Sequence, residues 1–172
     1  MTTPADLYRT CRVSARRLET LQQYDVSGDE ERQRAFLAGK PLPPPRQSKA
    51  DDLALIADLR RRGRYIGRVH VIDHPLSDYV RYEMAVYAEN VAAGEDVRIA
   101  DRSAYPNLEG LAQDFAIFDS ETVVLFDYDG GRVRGYRVAD DPGTVKRCVA
   151  EYDLAAARSV PLAEFIAATA AR

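Results

Sequence analysis

His70, Asp78 and Glu83 are the side chains in this sequence best suited to acid–base chemistry. An imidazole titrates near neutrality, and burial raises a carboxylate toward the same range. Glu83 stands out by position. Val80, Met84, Tyr87 and Val91 follow helical spacing and line one face, and Glu83 lies one step from that stripe with Tyr79 and Asn90 on its flank. A carboxylate at the edge of a core must be solvated, paired with an arginine or turned toward a ligand, because burying it alone is costly.

The helix that carries Glu83 has clear limits. Ser77 or Asp78 can accept a free N–H of its first turn, and Gly94 suits a left-handed stop. Ile66–Ile72 before it and Val97–Ile99 after it read as strands, so the stretch resembles half of a βαβ unit. Open α/β sheets bind ligands beyond the C-terminal ends of their strands. His70, Asp73 and His74 follow the first strand, Asp101 and Arg102 the second, and Ser77 and Asp78 open the helix. The expected ligand site is therefore a polar pocket of His70, His74, Ser77, Asp78, Asp101 and Arg102. Tyr79 and Glu83 stand beside it, and Arg17 or Arg68 serves as counter-ion.

Several other chemistries lack their residues. His70 and His74 on one strand would be roughly 13 Å apart, too far to share an ion, so no metal is expected. Asp127-Tyr-Asp-Gly opens like a calcium loop, but its twelfth position is Val138 rather than an acid, and a hairpin turn fits better. No phosphate-binding glycine loop and no nucleophile elbow occurs, and no cofactor is expected.

Composition sets wider bounds. At 172 residues the chain should form one domain, and folding should bury roughly 70% of its surface. Cys11 and Cys148 read as reduced core thiols. No apolar run is long enough to span a membrane and no signal pattern opens the chain, so a cytoplasmic protein is expected. The net charge of −3 is unevenly spread: residues 1–68 hold 14 Lys/Arg against 9 Asp/Glu, and residues 69–172 hold 10 against 18. A basic N-terminal half suits internal docking or a partner surface. The Arg60-Arg61-Arg62-Gly63-Arg64 cluster follows a helix, where cations complement the dipole, and nucleic-acid binding is the lesser alternative.

Positioning these residues requires an α/β fold. Ala5–Tyr24 reads as a helix through Leu7, Cys11, Ser14, Leu18 and Leu21, and Asp29–Leu37 as a second. Residues 1–40 would then form an N-terminal helical hairpin, 41–49 a proline-rich connector and 50–172 the α/β body. Phe115–Phe118 and Thr122–Phe126 read as a hairpin, Arg132–Val138 as a further strand, and Pro142 opens a long helix. Val160-Pro-Leu breaks that helix before a terminal one over 163–171. The expected architecture is a mixed sheet of about five strands flanked by helices, within one domain over 1–172. An antiparallel hairpin at its edge favours a homodimer.

The runs Arg17-Leu-Glu-Thr-Leu, Phe36-Leu-Ala-Gly, Pro75-Leu-Ser-Asp-Tyr-Val-Arg-Tyr-Glu, Asn90-Val-Ala-Ala-Gly-Glu, Asp101-Arg102 and Val160-Pro-Leu-Ala-Glu resemble an uncharacterised actinobacterial family, a domain of unknown function. That resemblance spans nearly the whole chain. It implies a regulatory or signalling setting with a protein partner such as a helix-turn-helix regulator, and it carries no activity. Residues 66–158 are more weakly similar to one half of a phospholipase-D-like domain. That superfamily needs a lysine two residues after its histidine, whereas Ile72 follows His70 and Leu76 follows His74. The expected function is a non-catalytic regulatory or ligand-binding protein acting through a protein partner. A small enzyme of specialised metabolism using His70, Asp78 and Glu83 is the alternative, and a nucleic-acid-binding accessory the third.

Overall fold

A computed structural model describes residues 2–171. One sheet of seven strands runs through it in the order β6-β5-β4-β1-β2-β3-β7. The strands are β1 Ser14–Glu19, β2 Tyr65–Ile72, β3 Asp96–Asp101, β4 Phe115–Phe118, β5 Thr122–Asp129, β6 Arg132–Ala139 and β7 Ser159–Pro161. The helices are α1 Pro4–Thr10, α2 Glu30–Leu37, α3 Gln47–Arg61, α4 Asp78–Ala93, α5 Pro142–Ala157 and α6 Leu162–Ala170. β1, β2 and β3 are parallel, and every other pairing is antiparallel.

The main departure from expectation lies at the N-terminus. The helix expected over Ala5–Tyr24 is the short α1 followed by β1, which pairs with β2 on one side and β4 on the other. The described residues form two N-terminal helices but no hairpin of them: α1 packs on α3, and α2 packs on α4. With β7 also added, the sheet has seven strands rather than about five. The other elements lie where periodicity places them. Ser77 caps α4 by accepting from Val80 N at 3.1 Å, and Gly94 ends it at φ 110°. Asp141 caps α5 by accepting from Thr144 N at 2.9 Å.

Strand alternation divides the core into two layers. Leu18, Val69, Val71, Phe115, Ile117 and Val123 point to one face, where Val145, Cys148, Tyr152 and Ala155 of α5 cover them. The opposite face carries Ala15, Ile66, Ala116, Phe118 and Val124 under α1 and α3. Ile72, Val97 and Ile99 lie under α4 and α6 on that same face. Cys11 and Cys148 are buried free thiols in clusters on opposite sides of the sheet. No described helix is long and apolar enough to cross a membrane.

Candidate functional site

The alternation that buries Leu18 against α5 turns Arg17 and Glu19 to the other face. Arg17 pairs with Arg68 across the β1–β2 ladder, and Glu19 pairs with His70. Two guanidiniums, a carboxylate and an imidazole therefore occupy the middle of a sheet face whose margins are apolar.

Glu19 organises them. Its Oε1 accepts from Arg17 Nε and from Arg68 Nη1, both at 2.8 Å, and its Oε2 accepts from the Tyr87 hydroxyl at 2.5 Å. Burial alone would raise its pKa, but Arg68 and Arg17 outweigh that and hold the carboxyl well below the usual range. Arg68 also donates from Nε to Glu95 at 3.1 Å. Arg17 donates from Nη2 to the Tyr128 hydroxyl at 2.9 Å and stacks 4.4 Å above the Phe126 ring. His70 is fully buried, and burial pushes its pKa down. Its Nε2 lies 2.7 Å from the Leu21 carbonyl, which can only accept, so Nε2 carries the proton.

A cavity of about 360 Å³ opens over this cluster. Its floor is Arg17, Glu19 and Arg68, and Tyr79, Glu83, Val86 and Asn90 of α4 form one wall. Arg46, Lys49 and Asp52 enter from the start of α3, and Tyr128, Gly131 and Val133 from the β5–β6 hairpin. Residues 20–46 cross above as a strap that contributes Tyr24, Asp29 and Arg32. Polar contacts hold this strap down. Gln22 Nε2 donates to the Val71 carbonyl at 3.0 Å, the Ser77 hydroxyl to the Gln22 carbonyl at 2.8 Å, and the Tyr82 hydroxyl to Asp29 at 2.6 Å. Asp25 N donates to the Gly131 carbonyl at 2.9 Å, and Arg32 pairs with Glu89. Where the strap begins, buried Asp114 accepts from Thr20 N and Oγ1, each at 2.8 Å, and from Tyr24 at 2.6 Å.

Two cavity side chains carry unsettled charge. Glu83 Oε2 is buried without a hydrogen-bond partner among the described residues. Burial, with the nearby charge of Glu19, raises the Glu83 pKa to about 7. Lys49 donates to Asn90 Oδ1, a neutral acceptor, and burial beside Arg68 lowers its pKa.

The residues expected to form one pocket fall into two groups. Arg17, Arg68, Tyr79 and Glu83 meet in the cavity, with His70 Nδ1 3.0 Å from the Tyr87 hydroxyl behind them. His74, Ser77, Asp78, Asp101 and Arg102 do not reach it. His74 lies 3.0 Å from Asp101, Arg102 bonds Asp73 at 2.9 Å, Ser77 is a helix cap and Asp78 is exposed. Of the acid–base trio His70, Asp78 and Glu83, only Glu83 lines the cavity. In the arginine cluster, Arg61 and Arg62 both pair with Asp58, while Arg60 points to the Arg64 carbonyl. Sequence reasoning missed Glu19, Lys49, Arg46, Arg32, Asn90 and Glu95 as site residues. A usable signal was present: opposite charges two residues apart at Arg17 and Glu19, facing basic side chains two apart at Arg68 and His70.

No group of three or more His, Cys, Asp or Glu side chains suited to a metal ion occurs among the described residues. The cavity offers fixed charges, tyrosine hydroxyls and amide groups around a volume within the range of about 300–1,000 Å³ typical of small-molecule pockets. No curated protein matches the sequence. A family model described as a domain of unknown function, DUF6879, matches residues 3–167.

Proposed function

We propose that this chain, which belongs to the DUF6879 family, holds a small polar molecule in the cavity beneath the strap and passes its occupancy to a protein partner. The supporting observation is the Arg17–Glu19–Arg68 cluster at the cavity floor. Burying three charges at the centre of a sheet is costly, and a hydrophobic trio would stabilise the fold at least as well. Braced by Glu19, the two arginines are oriented in advance for a ligand. The strap is the element to carry the signal: polar contacts and a small apolar cluster of Leu21, Tyr24, Phe36 and Leu42 against α4 seat it over the cavity, and it bears exposed Val26 and Leu37. A regulatory setting, with a helix-turn-helix protein as partner, fits such a device.

Native mass spectrometry before and after denaturation tests the binding role. A small molecule that accompanies the folded protein and leaves on unfolding is the expected result. A bare protein whose melting temperature no metabolite mixture raises would count against it.

The proposal includes a homodimer through β6, favoured by the exposure of Val133, Tyr136 and Val138 on this edge strand. Antiparallel self-pairing centred on Gly135 would set Arg134 opposite Tyr136, Arg132 opposite Val138 and Val133 opposite Arg137. No arginine would then face another.

A further inference from the structure

We infer that Arg32, Arg46 and Lys49 form an anion subsite in the cavity wall, taking the carboxylate or phosphate end of the bound molecule. This rests on the ligand-binding reading above.

The three side chains come from two converging elements. Arg46 is the residue before α3, and Lys49 lies in the first turn of that 15-residue helix. The N-terminus of α3 has no side-chain cap, so no side chain of the cap position offsets the partial positive charge of its first N–H groups. Arg32 reaches the same wall from the strap.

Arg32 and Arg46 each carry a buried N–H without an acceptor among the described residues. Arg32 is 3% exposed, its Nε donates to the Pro43 carbonyl at 3.1 Å and its Nη2 pairs with Glu89. Its Nη1 is buried with no hydrogen-bond partner among the described residues, as are Arg46 Nε and, within the Arg32–Glu89 pair itself, Glu89 Oε2. A buried guanidinium N–H without an acceptor is destabilising, and a carboxylate or phosphate oxygen is the acceptor it fits best.

Two of the three cations also lack a direct carboxylate partner: the Arg32 charge is matched by Glu89, but neither Arg46 nor Lys49 forms a salt bridge among the described residues. Arg46 donates to the Ser27 carbonyl and Lys49 to the Asn90 amide, both neutral acceptors. Of the cavity's acids, Asp25 pairs with Arg132, and Glu19 and Glu95 hold Arg68. Asp29 accepts from the neutral Tyr82 hydroxyl, and exposed Asp52 lies in the field of Lys49 and Arg46 without a salt bridge to either. Glu83 has its pKa raised to about 7, so near neutrality it opposes an incoming anion only in part. Burial and Arg68 already disfavour the Lys49 ammonium, and an anion beside it would relieve that strain.

The test is calorimetric titration of the full chain, at low ionic strength, with inorganic phosphate and separately with acetate. The expected result is saturable one-site binding of at least one of them. Arg46→Met and Lys49→Met should each weaken it ~10-fold, while Arg147→Met, on α5 across the sheet, leaves it unchanged. Tighter phosphate binding assigns a phosphate end, and tighter acetate binding a carboxylate end. The subsite is overturned if the folded wild-type protein binds neither anion, or if both cavity variants melt like the wild type and bind equally well. A co-purified molecule alongside failure to bind either anion would leave the ligand-binding role intact and remove the subsite alone.

Discussion

Glu19 and Glu83 line the same cavity, and their pKa values are displaced in opposite directions. Glu19 is held below its ordinary value of 4.5, so the stability it contributes is present above that pH and is lost as pH falls through its folded-state value. Glu19→Gln would leave Arg17 and Arg68 facing each other without their shared acceptor. A loss of about 3–5 kcal/mol is expected in urea unfolding at pH 7. Glu83 has the reverse sign. Its folded pKa of about 7 stands above 4.5, so its ionisation removes stability as pH rises between those values. Glu83→Gln should therefore match the wild type near pH 4 and exceed it above pH 7 by up to about 3 kcal/mol. Paired melting curves at the two pH values check this, and a constant gap would contradict it.

At the scale of elements, the β5–β6 turn and the strap lock together at Gly131. Its φ is +85°, and an added Cβ would lie 2.8 Å from the Gln23 carbonyl oxygen. Gly131→Ala should cost about 1–3 kcal/mol and displace the strap, which faster amide exchange over residues 21–27 would reveal. Asp119 does comparable work where β1 begins. It accepts from Arg12 N at 2.8 Å, Val13 N at 2.8 Å and Ser14 N at 3.0 Å, while itself at φ 55°. Asp119→Ala should cost about 1–3 kcal/mol in equilibrium unfolding, since it removes the shared acceptor of three donors, of which Ser14 N is partly buried, and places alanine in the left-handed region.

β1 also shows where the sequence stops being readable. α4, α5 and five of the other strands announce themselves through apolar spacing, turns and caps. β1 does not, because two of its inward residues are Arg17 and Glu19, and charges on a buried face erase the two-residue period. What remained, Leu7, Cys11, Leu18 and Leu21, fits a helix by coincidence of spacing. The polar cluster hid the strand that carries it, and so hid the cavity. Glu83 was legible because α4 is otherwise regular, so one carboxylate beside its stripe stood out. Lys49 and Arg46 gave no such sign, since a basic residue at the start of an unremarkable helix reads as surface.

For the whole molecule, the exposed β6 edge makes association testable. Light scattering across a concentration series should show a dimer. Tyr136→Lys should return it to a monomer, because the new ammonium would oppose Arg134 of the partner subunit. A wild-type monomer at every concentration would dismiss the edge-paired dimer and leave the cavity untouched.

The place of β1 in the sheet also bears on how the chain is made. β1 is the first strand to leave the ribosome, yet its neighbours β2 and β4 end at residues 72 and 118. Among the described residues it is the strand that joins the β2–β3–β7 half of the sheet to the β4–β6 half. Arg68 and Tyr87, which hold Glu19, precede the hairpin in the chain, whereas Arg17 gains Tyr128 and Phe126 only when the hairpin arrives. Joining the two halves of the sheet, and with it the hairpin wall of the cavity, waits on the β1–β4 ladder, the longest-range pairing among the described strands.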